Sequence, residues 1–343
     1  MTAVNELVDL CALGVLLDRH GIESGQPLGR LSLIGDGHSN VTLSFERGGR
    51  RLVLRRPPRP PYPAKAHDVL REARFLRSLA STPVPVPSVL AMCEDTSTLG
   101  VPFYVMDYLD GVVVTNELPP FLQGDERALA SGLVTTLADL HRVDPELTGL
   151  ANIGRPDGYL ERQLRTFSRI WSEVRTREVP RVEEVGRWLE SRAPRSSEAA
   201  IVHGDYRLGN LMVRREGPPR VLAVMDWEMA TLGDPLADLG YLLATYGDPD
   251  EAPNVMTDLS AVTRAPGFPR RRDLMELYAN ATGLSLDEIV WYQVLARWKA
   301  CVFLESSYRR WRNGQTDDAW FATLGERVPE LADAAWASAH SIP

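Results

Sequence analysis

Residues 201–239 read IVHGDYRLGNLMVRREGPPRVLAVMDWEMATLGDPLADL. The apolar opening predicts a short strand, and His203 to Asn210 a polar loop. Leu211 to Val213 predicts a second strand, Gly217-Pro218-Pro219 a turn, and Val221 to Met225 a third strand. Asp226 follows at once. Asp205, Asn210 and Asp226 therefore stand beside strand ends, where neighbouring backbone holds a side chain rigidly. A plain polar hairpin would also leave Asp and Asn in its turns, so the set has to be weighed with what lies upstream.

Two carboxylates and an amide in this arrangement suit chemistry at a polyphosphate. One carboxylate accepts or orients the attacking hydroxyl, while an amide oxygen and a second carboxylate hold the magnesium ion that neutralises the triphosphate. The spacing His203-x-Asp205-x4-Asn210 is that of a kinase catalytic loop, and Asp226 lies where the downstream metal-binding Asp falls.

Upstream, LSLIGDGHSNVTLSFERGGRRLVLRR (31–56) predicts three strands parted by GDGHSN and RGGR. The second spacer is a hairpin turn. In the first, Gly35 and Gly37 with Ser39 and Asn40 would let backbone N–H groups and a hydroxyl approach phosphate oxygens. The pattern is incomplete, because Asn40 stands where G-x-G-x-x-G has its third glycine, and a loop joining two strands fits equally well. Residues 4–20 predict a leading amphipathic helix, with Leu7, Leu10, Leu13 and Leu17 on one stripe.

Pro57 to Pro63 is a stiff, extended connector. Lys65 to Ser81 turns helical, and Glu72 falls on its apolar stripe one turn from both Val69 and Leu76. A carboxylate facing apolar packing calls for a cation. Arg55 is the first candidate and Arg56 the second, since the apolar run Leu52 to Leu54 leaves the strand register open. Residues 82–111 predict two strands, the second running from Val101 to Met106. The segment Met106 to Leu109, with Tyr108 inside it, is then a hinge whose backbone faces an adenine, or simply a strand end.

Beyond Gly111 the pattern is mostly helical. Residues 124–143 form one amphipathic helix, 157–192 two more, and 235–247 another after Asp234-Pro235. A further helix opens on Ser285 and Glu288 as a capping box and runs towards Trp311, with Tyr292, Leu295, Trp298 and Val302 as core. His141-Arg142-Val143-Asp144 imitates a second catalytic loop but lacks the following Asn, Gly149 standing in its place.

Composition narrows the classes. A length of 343 residues favours two lobes over one core. A net charge of −8 with no basic domain argues against a nucleic-acid partner. Three scattered cysteines suit a reducing compartment better than a disulfide framework, and the longest uncharged apolar run near the start, Leu10 to Leu17, is too short to span a bilayer. The expectation is a cytoplasmic protein with no membrane partner. A serine hydrolase fails because Ser39 lacks the closing glycine of a nucleophile elbow, and a P-loop NTPase fails because no Gly-Lys pair occurs.

With these motifs in view, the chain resembles the aminoglycoside phosphotransferase-like small-molecule kinases over roughly Leu31 to Trp311. It is most similar to the branch containing the kinase-like domain fused to some acyl-CoA dehydrogenases, through LVLRRPP, HGDYRLGNLMV and MDWEMATLGDPLADLGYLL. The resemblance implies an α+β, bilobal, protein-kinase-like fold. An antiparallel N-terminal lobe (1–108) would carry one main helix, and a larger helical lobe (109–343) the catalytic loop 203–210 and the substrate pocket.

The resemblance also implies roles. Asp205 would be the catalytic base or hydroxyl-orienting carboxylate, and Asn210 and Asp226 would be Mg²⁺ ligands. Arg55 would hold the α- and β-phosphates of ATP and Glu72 would hold Arg55. Gly35 to Asn40 would cover the triphosphate, and Met106 to Leu109 would face adenine. Asp238 and His203 would brace the loop. Arg55 stands where protein kinases carry Lys, and still supplies a fixed charge and a fork for phosphate.

Only seven residues separate Asp226 from Asp234, too few for the segment on which a protein kinase docks a peptide. The long stretch from Asp144 to His203 would instead wall off a pocket for a small hydroxylated substrate. Residues 155–195 hold more arginine than acid, which disfavours a cationic aminoglycoside and tolerates an anionic hydroxyacyl-CoA-type acceptor. The alternative from another class is a nucleotide-binding pseudokinase without turnover.

Overall fold

A computed structural model describes residues 7–34, 40–59, 67–195 and 199–341. The chain forms two compact units, one of residues 1–111 with 222–230, the other of residues 112–221 with 231–343. The sequence reading divides the chain at 108 and leaves 222–230 in the helical half. Here that segment clusters with the sheet-bearing half, for reasons of packing given below.

The first unit opens with α1 (Leu10–Arg19), one turn shorter at its start than the expected helix among the described residues, because Asp9 caps it by accepting from Ala12 N at 3.0 Å. The strands β1 (Ser32–Leu33), β2 (Val41–Arg47) and β3 (Arg50–Arg56) follow, then α2 (Val69–Leu79), β4 (Val89–Cys93) and β5 (Phe103–Asp107). They make one antiparallel sheet in the order β1-β2-β3-β5-β4. Arg47 pairs Arg50, so Gly48 and Gly49 are a two-residue turn, and both have positive φ (57° and 80°) as a right-twisted hairpin requires.

Strand periodicity assigns the faces. Leu52 and Leu54 of β3 join Leu13 and Leu17 of α1, with Leu43, Phe45, Phe103 and Val105, in one apolar cluster. Side chains alternate along a strand, so Val53 and Arg55 project to the opposite face. Arg56, in phase with Leu52 and Leu54, is buried on the α1 side and donates to the carbonyls of Pro57 (3.1 Å) and Leu7. Against the other face lies α2, capped by Asp68 and burying Ala73, Phe75, Leu76 and Leu79. Segment 222–230 belongs to this unit because Trp227 is buried and stacks on Phe75 of α2, with centroids 6.1 Å apart, and because Val224 N donates to Pro85 O at 2.8 Å.

The second unit contains most of β6 (Gly111–Val113), then α3 (Glu126–His141), α4 (Tyr159–Val174), α5 (Pro180–Ser191), β7 (Ala200–Val202) and β8 (Leu211–Arg214). The chain passes to the first unit within β9 (Val221–Val224). It resumes here with β10 (Thr231–Gly233), α6 (Pro235–Thr245), α7 (Arg271–Thr282), α8 (Ile289–Arg312) and α9 (Trp320–Ala339). β10 pairs antiparallel with β7. Asp234 caps α6 by accepting from Leu236 N, and its other oxygen accepts from Tyr292 of α8 at 2.8 Å. α6 and α8 come so close that a Cβ on Gly240 would lie 2.7 Å from the Tyr292 carbonyl carbon. Tyr292, Leu295, Trp298 and Val302 are core, as expected.

The expected capping box at α8 does not form. Ser285 Oγ turns to Asp287 Oδ2 at 2.7 Å, a local side-chain bond that competes with the cap, and the helix begins uncapped at Ile289. No helix among the described residues is long and apolar enough to cross a membrane.

Candidate active site

The loop after β7 is held from beneath by one acid. Asp238, fully buried on α6, accepts from His203 N at 2.6 Å and from Gly204 N at 2.8 Å. His141, at the end of α3, approaches the same carboxylate at 3.4 Å through Nε2, while its Nδ1 lies 2.6 Å from Tyr278 Oη of α7. Burial works to raise Asp238, and its bonds and charge contact with His141 and with His203 outweigh that, holding it below the usual carboxylate range. His203 is itself buried and accepts from Asp205 N at 3.3 Å.

On this support Asp205 is the acid that still meets solvent, its side chain 26% exposed. Asn210 is buried, and its amide nitrogen donates both to Asp205 O and to Asp205 Oδ2, each at 2.8 Å. With both amide hydrogens given to Asp205, the Asn210 oxygen remains as an acceptor. Arg207 Nε lies 3.6 Å from Asp205 Oδ1. Burial first, and the charge of Asp205 second, push the phenol of Tyr241 on α6 well above its ordinary value.

In the first unit, Arg55 Nε donates to Glu72 Oε2 at 2.8 Å, and Arg55 Nη2 to Asp226 Oδ1 at 3.1 Å. Of the two candidate cations, Arg55 is therefore the one that meets Glu72, and Arg56 faces away. Burial works to lower the Arg55 guanidinium, and the carboxylates of Glu72 and Asp226 outweigh it, keeping it charged above its usual value. Burial pushes the Glu72 carboxyl up to about 7 against the pull of Arg55. Asp226 sits at φ +65°, a left-handed conformation that Asp tolerates better than most residues, and its side chain is 36% exposed.

The remaining predicted residues fall as follows. Gly35, Gly37 and Ser39 lie outside the described residues. Asn40 is buried at the head of β2, its Oδ1 3.1 Å from His67 Nδ1 and its Nδ2 without a partner among the described residues. Met106 lies within β5 opposite Val53. The amides of Asp107 and Tyr108 already donate to Ser88 O and Arg51 O, and the Arg51 guanidinium covers the Tyr108 ring at 3.6 Å. An adenine there would be met by carbonyls or by amides beyond Tyr108. A cavity of about 300 Å³ opens among α4, α5 and α8, lined by Trp171, Gly186 and Trp298, and neither Asp205 nor Asn210 lines it.

Taken each within its own unit, Asn210 keeps the amide oxygen left over by the Asp205 bonds and Asp226 the carboxylate oxygen that Arg55 does not engage, both hard donors of the kind Mg²⁺ takes. No group of three or more His, Cys, Asp or Glu able to hold a metal occurs among the described residues. The sequence reading missed Arg207 beside Asp205, and read His141 only as part of a failed motif. Nothing in linear spacing ties α3, α6 and α7 to the loop.

Comparison with known proteins bears on this arrangement. Mouse acyl-CoA dehydrogenase family member 10 is 33% identical over 302 residues, covering 88% of this chain. Chicken acyl-CoA dehydrogenase family member 11 is 32% identical over 321 residues, covering 90%. This chain spans only 28% and 40% of those two relatives. A crystal structure of a candidate aminoglycoside phosphotransferase from Ralstonia eutropha superposes with a TM-score of 0.80 at 29% identity, over 96% of this chain and 98% of that one. The model of the phosphotransferase enzyme family matches residues 30–274, and the chain belongs to that family.

Proposed function

We propose that the protein is an ATP- and Mg²⁺-dependent O-phosphotransferase that moves the γ-phosphoryl group to a hydroxyl of a small molecule. The observation that carries this reading is the state of Asp205: its backbone loop is pinned by Asp238, its carboxylate is steadied by Asn210, and it remains open to solvent. A base or orienting group for an incoming alcohol needs that combination of fixed position and access.

In the proposed reaction the acceptor oxygen forms a bond to Pγ as the bond from Pγ to the β,γ-bridging oxygen breaks. ADP leaves, and the hydroxyl proton passes to Asp205. Arg55, steadied by Glu72, binds the α- and β-phosphates with a bidentate fork. Asn210 and Asp226 are the residues that would hold Mg²⁺, which when bound neutralises charge on the triphosphate. Met106 to Leu109 border the adenine. The names of the relatives point to a hydroxyacyl-CoA-type metabolite as acceptor, ahead of an aminoglycoside.

One observation favours a nucleotide-binding protein without turnover. Asp226, needed for the metal, is already paired with Arg55. Measuring ADP formation from Mg·ATP over a panel of alcohols, hydroxyacyl-CoA esters included, separates the two. The expected result is acceptor-dependent turnover that falls about 10²-fold or more in Asp205→Asn, with ATP affinity retained. Near-native turnover in that variant would sink the assignment, and ATP binding with no turnover on any acceptor would favour the silent reading.

A further inference from the structure

Asp205 offers its two oxygens unequally. Oδ2 accepts from Asn210 Nδ2 at 2.8 Å, so Oδ1 is the oxygen an incoming hydroxyl would meet. Arg207 stands beside that same atom, its Nε 3.6 Å from Oδ1. The separation is too long for a hydrogen bond and short enough for charge attraction. Nη1 is fixed at the other end, donating to Leu259 O at 3.3 Å. The guanidinium also lies over the bare Cα of Gly209, where a Cβ would run into Nη1 and lie 3.0 Å from Thr115 Cγ2. Gly209 has no left-handed backbone, so its missing side chain serves space and not conformation. All of these groups belong to the second unit.

Held in this way, Arg207 still has donors to give. Its side chain is 20% exposed, Nη2 makes no hydrogen bond among the described residues, and no described carboxylate besides Asp205 stands at ion-pair distance. A largely desolvated cation with unused N–H groups is a place for an anion. Its position says which anion. The proposed reaction already sets Arg55 and Mg²⁺ against the triphosphate, whereas Arg207 sits on the loop of the base, two residues along. A hydroxyl bonded to Oδ1 at about 2.7 Å stands no more than about 6 Å from Arg207 Nε. A carboxylate or phosphate a few bonds from that hydroxyl is then in reach of the guanidinium fork.

We propose that Arg207 is a specificity-determining residue for the acceptor, binding an oxyanion that the acceptor carries close to the hydroxyl on which Asp205 acts. This rests on the phosphotransferase reading and narrows its acceptors to those charged near the reacting hydroxyl, as in hydroxy acids and polyol phosphates. Among acyl metabolites it favours the free hydroxy acid over its neutral thioester. A cationic alcohol is repelled at the same point.

Alcohols matched except for one oxyanion supply the test: glycerate and glycerol 3-phosphate against glycerol, and 3-hydroxybutyrate against butane-1,3-diol. With Mg·ATP, Arg207→Gln should lower the anion-to-neutral ratio of kcat/KM about tenfold in at least one pair, mostly through the KM of the anion. Arg207→Lys, which keeps the charge and loses the fork, should restore part of it. Glycerate against glycerol 3-phosphate tells which oxyanion is read. Ratios unchanged in Arg207→Gln, with charged and neutral alcohols slowed alike, overturn the proposal and put Arg207 on the group in transfer.

A second readout needs no turnover. The preferred anion should raise the melting temperature of the full chain saturably, in the native protein and in Asp205→Asn, and the matched neutral alcohol should not. The rise should vanish in Arg207→Gln and shrink in Arg207→Lys, the latter serving alone if the former does not fold. An equal rise with and without the guanidinium shows binding elsewhere on the surface and overturns the proposal. Failure of the phosphotransferase reading looks different: no Asp205-dependent ADP formation with any alcohol, whatever the anion does to the melting temperature.

Discussion

Asn210 Nδ2 and Asp205 Oδ2 lie 2.8 Å apart, and the same amide nitrogen also reaches the Asp205 carbonyl. The amide thus closes the loop on itself and fixes which of its own ends faces outward. Replacing Asn210 by Ala removes both bonds and the oxygen offered to the cation. The half-saturating Mg²⁺ concentration for ADP formation should rise about tenfold or more, with a loss of about 1–2 kcal/mol in folding stability. An unchanged Mg²⁺ requirement would remove Asn210 from the metal role.

The Arg55–Glu72 pair has an acid–base signature. Glu72 titrates at about 7 when folded and at its ordinary 4.5 when unfolded, because burial favours its neutral form. A raised carboxyl pKa means the folded state holds the proton more tightly, so this contribution to stability is present below 4.5 and is lost as pH rises to about 7. The melting temperature of the native protein relative to Glu72→Gln should therefore decline between those values and level off above. ATP affinity should move oppositely, improving through pH 7 as the ionised Glu72 grips Arg55.

Breaking the same pair from the other side leaves a buried carboxyl without its cation. Arg55→Met should cost about 3 kcal/mol at pH 8, read by urea unfolding, and should weaken ATP binding. A variant as stable as the native protein would mean that Glu72 finds another partner.

Asp238 carries the loop, so its removal should show in both stability and rate. Asp238→Ala leaves the amides of His203 and Gly204 unpaired in a buried place, at a cost of about 3 kcal/mol by chemical unfolding. It should also lower kcat by misplacing Asp205, with KM for ATP little changed. Normal kcat in a folded Asp238→Ala protein would show that the loop holds its shape without it.

At Gly240 the added methyl group has nowhere to go but the backbone of Tyr292. Gly240→Ala should push α6 and α8 apart and destabilise by about 1–3 kcal/mol, measured by thermal unfolding.

The loop residues were legible because their spacing is short. Asp205, Asn210, the strands on either side and the Gly48-Gly49 hairpin all follow from local geometry, where a side chain reaches backbone a few residues away. Glu72 was legible too, as a charge on an apolar stripe. The failed capping box at Ser285 shows the limit of the same logic: two local bonds competed for one hydroxyl, and the sequence pattern held no measure of which would win.

By itself, then, the sequence determined the α+β class and the strand–loop–strand that holds Asp205 next to Asn210, since these depend on periodicity and on neighbours in the chain, while the helices at 271–282 and 320–339 went unread. Tertiary structure decided the rest. It chose Arg55 over Arg56, because three apolar residues in a row satisfy either face of a strand until α1 claims Leu52 and Leu54. It also brought His141, Tyr278 and Asp238 together beneath the loop at 203–210, from helices far apart in the chain. No spacing rule reaches across that distance; packing of one helix on another does.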